Sequence, residues 1–167
     1  MSVSDSNNLD ITSAITVEAW VKYDSAVHTS GIIEKVGAYG IWTRQHPTYG
    51  RIGFYSGVYV DGAYRDVFVG YGDTIYTDGE WIHCAFTYDS TTHHMTDYMN
   101  GQILADGELT GLSSYTIATS ANNVTIGFGA RWGKYVDGSI DDVRIYNYAR
   151  TADQIYQDYN SGAAKFK

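Results

Sequence analysis

An all-β, two-sheet antiparallel sandwich with one short C-terminal helix is the fold class this sequence predicts. Three observations carry it. Runs of alternating apolar and polar residues recur along the chain, about ten or eleven of them, as strands half-buried in packed sheets require. Glycine separates the runs, 18 in 167 residues against one proline. A helical pattern occurs once, after Thr151. At this length the chain reads as a single domain, residues 1–167, long enough to bury its own core.

Residues 2–10 are small and polar and read as a surface segment. Residues 14–22 then alternate cleanly, with Ile15, Val17, Ala19 and Val21 on one face and Thr16, Glu18, Trp20 and Lys22 on the other. Gly31 to Val36 predicts a short strand. Tyr39 to Arg44 and Arg51 to Ser56 predict a hairpin, and Arg65 to Tyr71 a further strand. Glu80 to Tyr88 is apolar on both faces, which suits the centre of a sheet or a place between packed layers. His93 to Asn100 and Gln102 to Ala105 meet at Asn100-Gly101, a pair that accepts the positive φ of a tight hairpin turn. Val124 to Gly127 and Tyr135 to Asn147 complete the sheets. The helix opens on a capping box, Thr151-Ala152-Asp153-Gln154, with Asp153 in the first turn, where the macrodipole favours it. Ala152, Ile155 and Tyr159 form its apolar stripe, and Asn160-Ser161-Gly162 predicts its end.

Charge narrows the function. Nineteen Asp and Glu against eleven Lys and Arg leave a net charge of -8, which argues against nucleic acid and against an anionic membrane surface. A neutral or cationic ligand, or a divalent metal, fits that balance. No apolar run approaches the length of a membrane span, and residues 1–5 lack the basic start and apolar stretch of a secretory signal. The lone Cys84 excludes an internal disulfide; alternating with Ile82 and Phe86, it reads as a buried structural thiol.

The segment from Gly138 to Asn147 holds two adjacent carboxylates, Asp141 and Asp142, ahead of an alternating Val143 and Ile145. Two readings stand: a solvated strand on which Asp142 and Arg144 offset each other, or a carboxylate at the strand's start coordinating a hard cation such as calcium. Adjacent strand residues point to opposite faces, so this pair cannot be the two acids of a glycosidase.

Three segments together resemble the laminin-G-like jelly rolls of the concanavalin A-like superfamily. They are Leu9-Asp10-Ile11 with residues 15–22; Gly79-Glu80-Trp81-Ile82-His83 with Thr87-Tyr88-Asp89 and Tyr98-Met99-Asn100-Gly101; and residues 138–147 with the helix behind them. The resemblance covers nearly the whole chain and implies one concave and one convex sheet, with loops clustered at the rim. It implies calcium at the sandwich edge on Asp141, with Asp10 and the backbone near Ser13 as weaker contributors. It also implies a strand ahead of residues 2–10 that is missing here, leaving a sheet edge for residues 163–167 or a neighbouring chain to cover. Hydrolase relatives carry clustered acids, and lyase relatives an Arg-rich strand, a Gln-x-His strand and a Tyr-Lys strand. Ile82-His83-Cys84 and Lys134-Tyr135 only echo the latter two, and no activity is expected. His83 matches the family's Trp-x-His and reads as structural, facing the core.

Ten aromatic residues fall between Tyr39 and Tyr76. Some belong to the core, Phe54 and Phe68 first, and Trp20 and Trp81 elsewhere. Trp42, Tyr49, Tyr59, Tyr64 and Trp132 lie in or beside predicted loops with Arg44, Asp61 and Arg131 near them, and read as a ligand patch of rings for sugar C–H faces and polar groups for hydroxyls. The expected function is a non-catalytic, lectin-like module for a glycan or polysaccharide, calcium-assisted, outside the cell or on a cell or virion surface. The alternative is a structural or adhesion subunit that forms a homo-oligomer or a larger surface assembly.

Overall fold

The computed structural model describes residues 1–24, 29–45, 52–67 and 78–166, with the backbone alone at residues 44, 45 and 52. In chain order its strands are β1 (Ser2–Val3), β2 (Ala14–Tyr23), β3 (Ser30–Lys35), β4 (Tyr39–Gln45), β5 (Ile52–Val60), β6 (Ala63–Arg65), β7 (Trp81–Asp89), β8 (His94–Met99), β9 (Gln102–Glu108), β10 (Val124–Ile126), β11 (Phe128–Gly129), β12 (Lys134–Tyr135) and β13 (Gly138–Tyr146). A short 3-10 turn spans Asn7–Leu9, and helix α1 spans Ala152–Phe166. A six-stranded sheet runs β1-β10-β3-β4-β5-β6 and a five-stranded sheet runs β13-β2-β7-β8-β9, with β11 and β12 forming a separate hairpin. The pairings are antiparallel.

The sandwich forms because each sheet offers an apolar face to the other. Ile15, Val17, Ala19 and Val21 of β2 and Ile82, Cys84, Phe86 and Tyr88 of β7 meet Tyr39 and Ile41 of β4 and Phe54, Val58 and Val60 of β5. Cys84 is buried as expected, and burial pushes its thiol up to about 12. Polar pairs also cross this interior: the Tyr23 hydroxyl of β2 and the Thr43 hydroxyl of β4 share a hydrogen bond at 3.2 Å, and Ser56 of β5 donates its hydroxyl to Asp97 of β8. Asp97 is 0% exposed, and burial first, then the charge of Asp66, pushes its carboxyl up to about 8.

Strand β7 lies between β2 and β8, and its second face is covered by α1, which accounts for its apolar character on both sides. Asn100 and Gly101 take the positive φ values, 48° and 73°, expected of the turn between β8 and β9. The capping box is formed: the Thr151 amide donates to Gln154 Oε1 at 2.9 Å, and the Gln154 amide to Thr151 Oγ1 at 3.3 Å.

Several expectations need correction. The helix does not end at Gly162 but runs to Phe166. Gly162 is there for space, since a Cβ on it would come within 2.3 Å of Trp20 Nε1. The tail expected to cover a sheet edge is therefore the helix's last turn, where Phe166 packs on Trp20 and Trp81. Trp20 and His83 are buried as expected, but they face α1 rather than the opposite sheet: they pair across β2 and β7, and the Tyr159 ring lies over both. In β13 a bulge between Asp141 and Arg144, with Asp142 at φ 50°, interrupts the regular alternation read from the sequence. Residues 68–71 of one expected strand lie outside the described residues.

Candidate functional site

The inner positions of β4 and β5 are core, so Gly40, Trp42, Tyr55, Gly57 and Tyr59 fall on the outer face of the six-stranded sheet. Glycine makes room there. A Cβ on Gly40 would stand 2.5 Å from the Trp42 ring and one on Gly57 3.5 Å from it, so the indole lies directly over two backbones. Gly31, opposite Trp42 in β3, meets Gly129: a Cβ on Gly31 would come within 2.5 Å of the Gly129 Cα. That contact seats the β11–β12 hairpin on the sheet. Glu34, a buried residue of β3, fastens it, its Oε2 accepting the Ala130 amide at 2.6 Å. Burial raises the Glu34 carboxyl, against the pull of the Ala130 and Arg131 amides.

The hairpin turn projects Arg131 and Trp132 over the same face. The Trp132 ring stands edge-on to Trp42, 6.1 Å away at 81°, and Tyr64 of β6 does likewise at 5.4 Å and 88°. Tyr59 stands edge-on to Tyr64 at 5.2 Å. The Arg131 guanidinium lies 5.3 Å from the Tyr64 ring centre and 5.5 Å from that of Trp132. Hydrogen bonds fix the tyrosines: the Gly37 amide donates to the Tyr64 hydroxyl at 2.8 Å, and the Tyr59 hydroxyl donates to the Gly62 carbonyl at 2.7 Å. Burial raises the Tyr64 phenol. The result is a platform of half-buried rings with an exposed cation on it.

Trp42, Tyr59, Tyr64, Arg131 and Trp132 are thus brought together from β4, β5, β6 and the β11–β12 turn. Trp42 needs correction: it is a mid-strand residue, 1% exposed, and forms the floor of the platform rather than a ligand contact. Arg44 has only its backbone described, in β4, and Tyr49 lies outside the described residues. Sequence reading missed Glu34 and the glycines Gly31, Gly40, Gly57 and Gly129. An acid inside the apolar run Gly31-Ile32-Ile33-Glu34 was a usable signal; the glycines gave none.

The calcium site expected at Asp141, Asp10 and Asp142 does not fit the geometry. Asp10 accepts from Lys35 Nζ at 2.8 Å, and the same buried ammonium reaches Asp5 at 2.6 Å. Lys35 holds the Asp10 carboxyl below its ordinary value. Asp141 pairs with Lys165 at 3.0 Å and Asp142 with Arg144 at 2.8 Å. Each carboxylate already has a protein cation, and among the described residues no group of three His, Cys, Asp or Glu side chains is arranged to hold a metal ion.

The charged groups on the outer face of the five-stranded sheet are structural too. Glu18 lies 3.6 Å from His83 and 3.4 Å from Arg144, and Arg144 and Arg150 both pair with Asp158 of α1. His83 is closed in by the helix, while Lys134 and Tyr135 are exposed on the separate hairpin, so the two lyase echoes do not converge. A polar groove of about 480 Å³ lined by Asn8, Asp10, Ser13, Tyr146 and Asn147 carries no comparable platform of rings.

The family Laminin_G_3, of the concanavalin A-like lectin/glucanases superfamily, matches residues 1–156. No curated protein matches the chain. Among solved structures, a candidate carbohydrate-binding protein from Bacteroides ovatus ATCC 8483 is similar at 21% identity and a TM-score of 0.70, over 93% of this chain and 44% of that one. The chain thus spans less than half of that protein. Domain 4 of AbnA, an extracellular GH43 arabinanase from Geobacillus stearothermophilus, solved with arabinotriose, is similar at 24% identity and a TM-score of 0.66, over 93% of this chain and 70% of that one. A heptameric SAP-like pentraxin from Limulus polyphemus gives 16% identity and a TM-score of 0.63, over 93% and 78%. At these identities the likeness is one of fold.

Proposed function

The chain belongs to the Laminin_G_3 family of the concanavalin A-like lectin/glucanases superfamily, and on that premise we propose that it is a non-catalytic glycan-binding module. The observation that carries this reading is the platform of Tyr64 and Trp132 packed on Trp42, with Tyr59 against Tyr64 and the Arg131 guanidinium over the Tyr64 and Trp132 rings. Rings whose orientation is fixed before binding lose little entropy on contact, which is what a weakly hydrated sugar C–H face requires of its site. The names of the first two similar structures, a carbohydrate-binding candidate and an arabinanase domain with arabinotriose, support the same class of ligand. A secreted or surface-displayed location suits such a module. The ion-paired Asp10, Asp141 and Asp142 favour binding without calcium.

The test is a glycan array probed with the purified protein, with calcium in one arm and a chelator in the other. Binding in both arms is expected. Trp132→Ala should then weaken it by about tenfold or more, the size of effect a central aromatic contact has. Silence in both arms, or full affinity in the variant, would sink the proposal.

A second reading, a structural or adhesion subunit of a surface assembly, is favoured by one feature. An apolar groove of about 310 Å³, lined by Val3, Leu9, Val124, Ile126, Val143 and Ile145, opens between β1 and β13, the end strands of the two sheets.

A further inference from the structure

The geometry points to a glycan bearing a carboxylate, a uronic or sialic acid residue, as the ligand of the platform, with Arg131 as the group that reads the acid; this rests on the glycan-binding reading above.

Arg131 differs from the cations that hold the fold together. Lys35 is spent on Asp5 and Asp10, Arg144 on Glu18, Asp142 and Asp158, Arg150 on Asp158, and Lys165 on Asp141. Arg131 is exposed; its amide and its charge both act on Glu34, but among the described residues its guanidinium is in no hydrogen bond or ion pair and lies against the Tyr64 and Trp132 rings. Rings hold a guanidinium through its flat face and leave its N–H edge for another partner. A planar carboxylate accepts two of those N–H groups side by side, which a hydroxyl cannot do.

The surrounding charge agrees. Residues 126–136, which make the hairpin, contain Arg131 and Lys134 and no acid. Glu34, the acid that feels the Arg131 charge, is buried beneath the loop and engaged by backbone amides. The whole chain nonetheless carries -8, so a dense polyanion would be repelled at long range. An isolated acidic sugar in an otherwise neutral glycan meets both conditions: local attraction to Arg131 and stacking on the rings beside it.

The experiment is calorimetric titration with oligosaccharides that each carry one uronic or sialic acid, every member paired with its own methyl ester, alongside the neutral glycans of the array. At least one acid should bind roughly fivefold or more tighter than its ester, with the gap narrowing as salt is raised. In Arg131→Gln the ratio of acid to ester affinity should fall to near one, and Arg131→Lys, which keeps the charge but loses the fork, should restore part of it. Neutral glycans or esters binding as tightly as the acids would overturn this inference and leave the module a lectin. An acid preference that survives in Arg131→Gln would overturn it as well. If neither acids, esters nor neutral glycans bind, the glycan-binding reading fails and this one with it.

Discussion

Asp97 shows what one residue can impose on the whole fold. Its carboxyl sits between the sheets, bonded to Ser56, with its pKa raised from 3.8 to about 8. Between those two values the folded chain keeps a proton that the unfolded chain releases, so stability is full at the acid end of the window and falls as pH rises through it. The slope from this group is at most about 1.4 kcal/mol per pH unit. Urea denaturation at pH 5 and pH 8.5 should therefore give the lower stability at pH 8.5. Asp97→Asn keeps the shape without a titrating proton, and should lose that difference; an unchanged difference would remove Asp97 as its source. Asp10, Asp61 and Asp141, whose carboxyls are lowered by their hydrogen-bonding partners, act in the opposite sense and at more acid pH. At the face proposed to bind glycan, Trp132 is the ring expected to decide affinity, because Trp42 is already sealed beneath it. A change at Trp42 would act through a cavity of about 3–5 kcal/mol in the fold rather than through the ligand.

At the scale of elements, α1 is fastened to the five-stranded sheet at both ends. Ile155 packs with Ala85 and Tyr98 near its start, and Trp20 lies between Tyr159 and Phe166 near its end. Gly162→Ala weighs two effects against each other. Alanine gains about 1 kcal/mol of helix propensity over glycine. Its Cβ, however, would press to 2.3 Å on an indole that rings already flank, and overpacking of this kind costs about 1–3 kcal/mol. A net loss of stability in chemical denaturation is the expected result; a gain would mean that the helix can lift away freely. The β11–β12 hairpin depends on the same economy of space, since Gly31 and Gly129 let two backbones touch and Glu34 then pins the turn.

At the scale of the molecule, the two outer faces have different roles. Helix α1 and its ion pairs cover one, and the other carries the ring platform. The open side between β1 and β13, with its apolar groove, is where copies would join if the chain were an assembly subunit. Light scattering across a concentration series should then show discrete oligomers, and a monomer at every concentration would count decisively against that reading. No helix among the described residues is long and apolar enough to cross a membrane.

The sequence by itself determined what depends on near neighbours and on periodicity: the sandwich, the inward set of β2, the Asn100-Gly101 turn and the Thr151 cap. Alternation and capping are encoded within a few residues, so they can be read without knowing the partners. It also put Tyr59, Tyr64, Arg131 and Trp132 among the candidates, from residue type and predicted loops. What only the tertiary structure decided is which face each residue meets and with what. Trp42 became a floor because Trp132, ninety residues on, closes over it; Gly162 stayed inside a helix because Trp20 needs its space. The three carboxylates expected at a metal found Lys35, Arg144 and Lys165 instead, partners that no local pattern specifies. Burial and charge pairing are sums over distant segments, and only the packed chain carries them out.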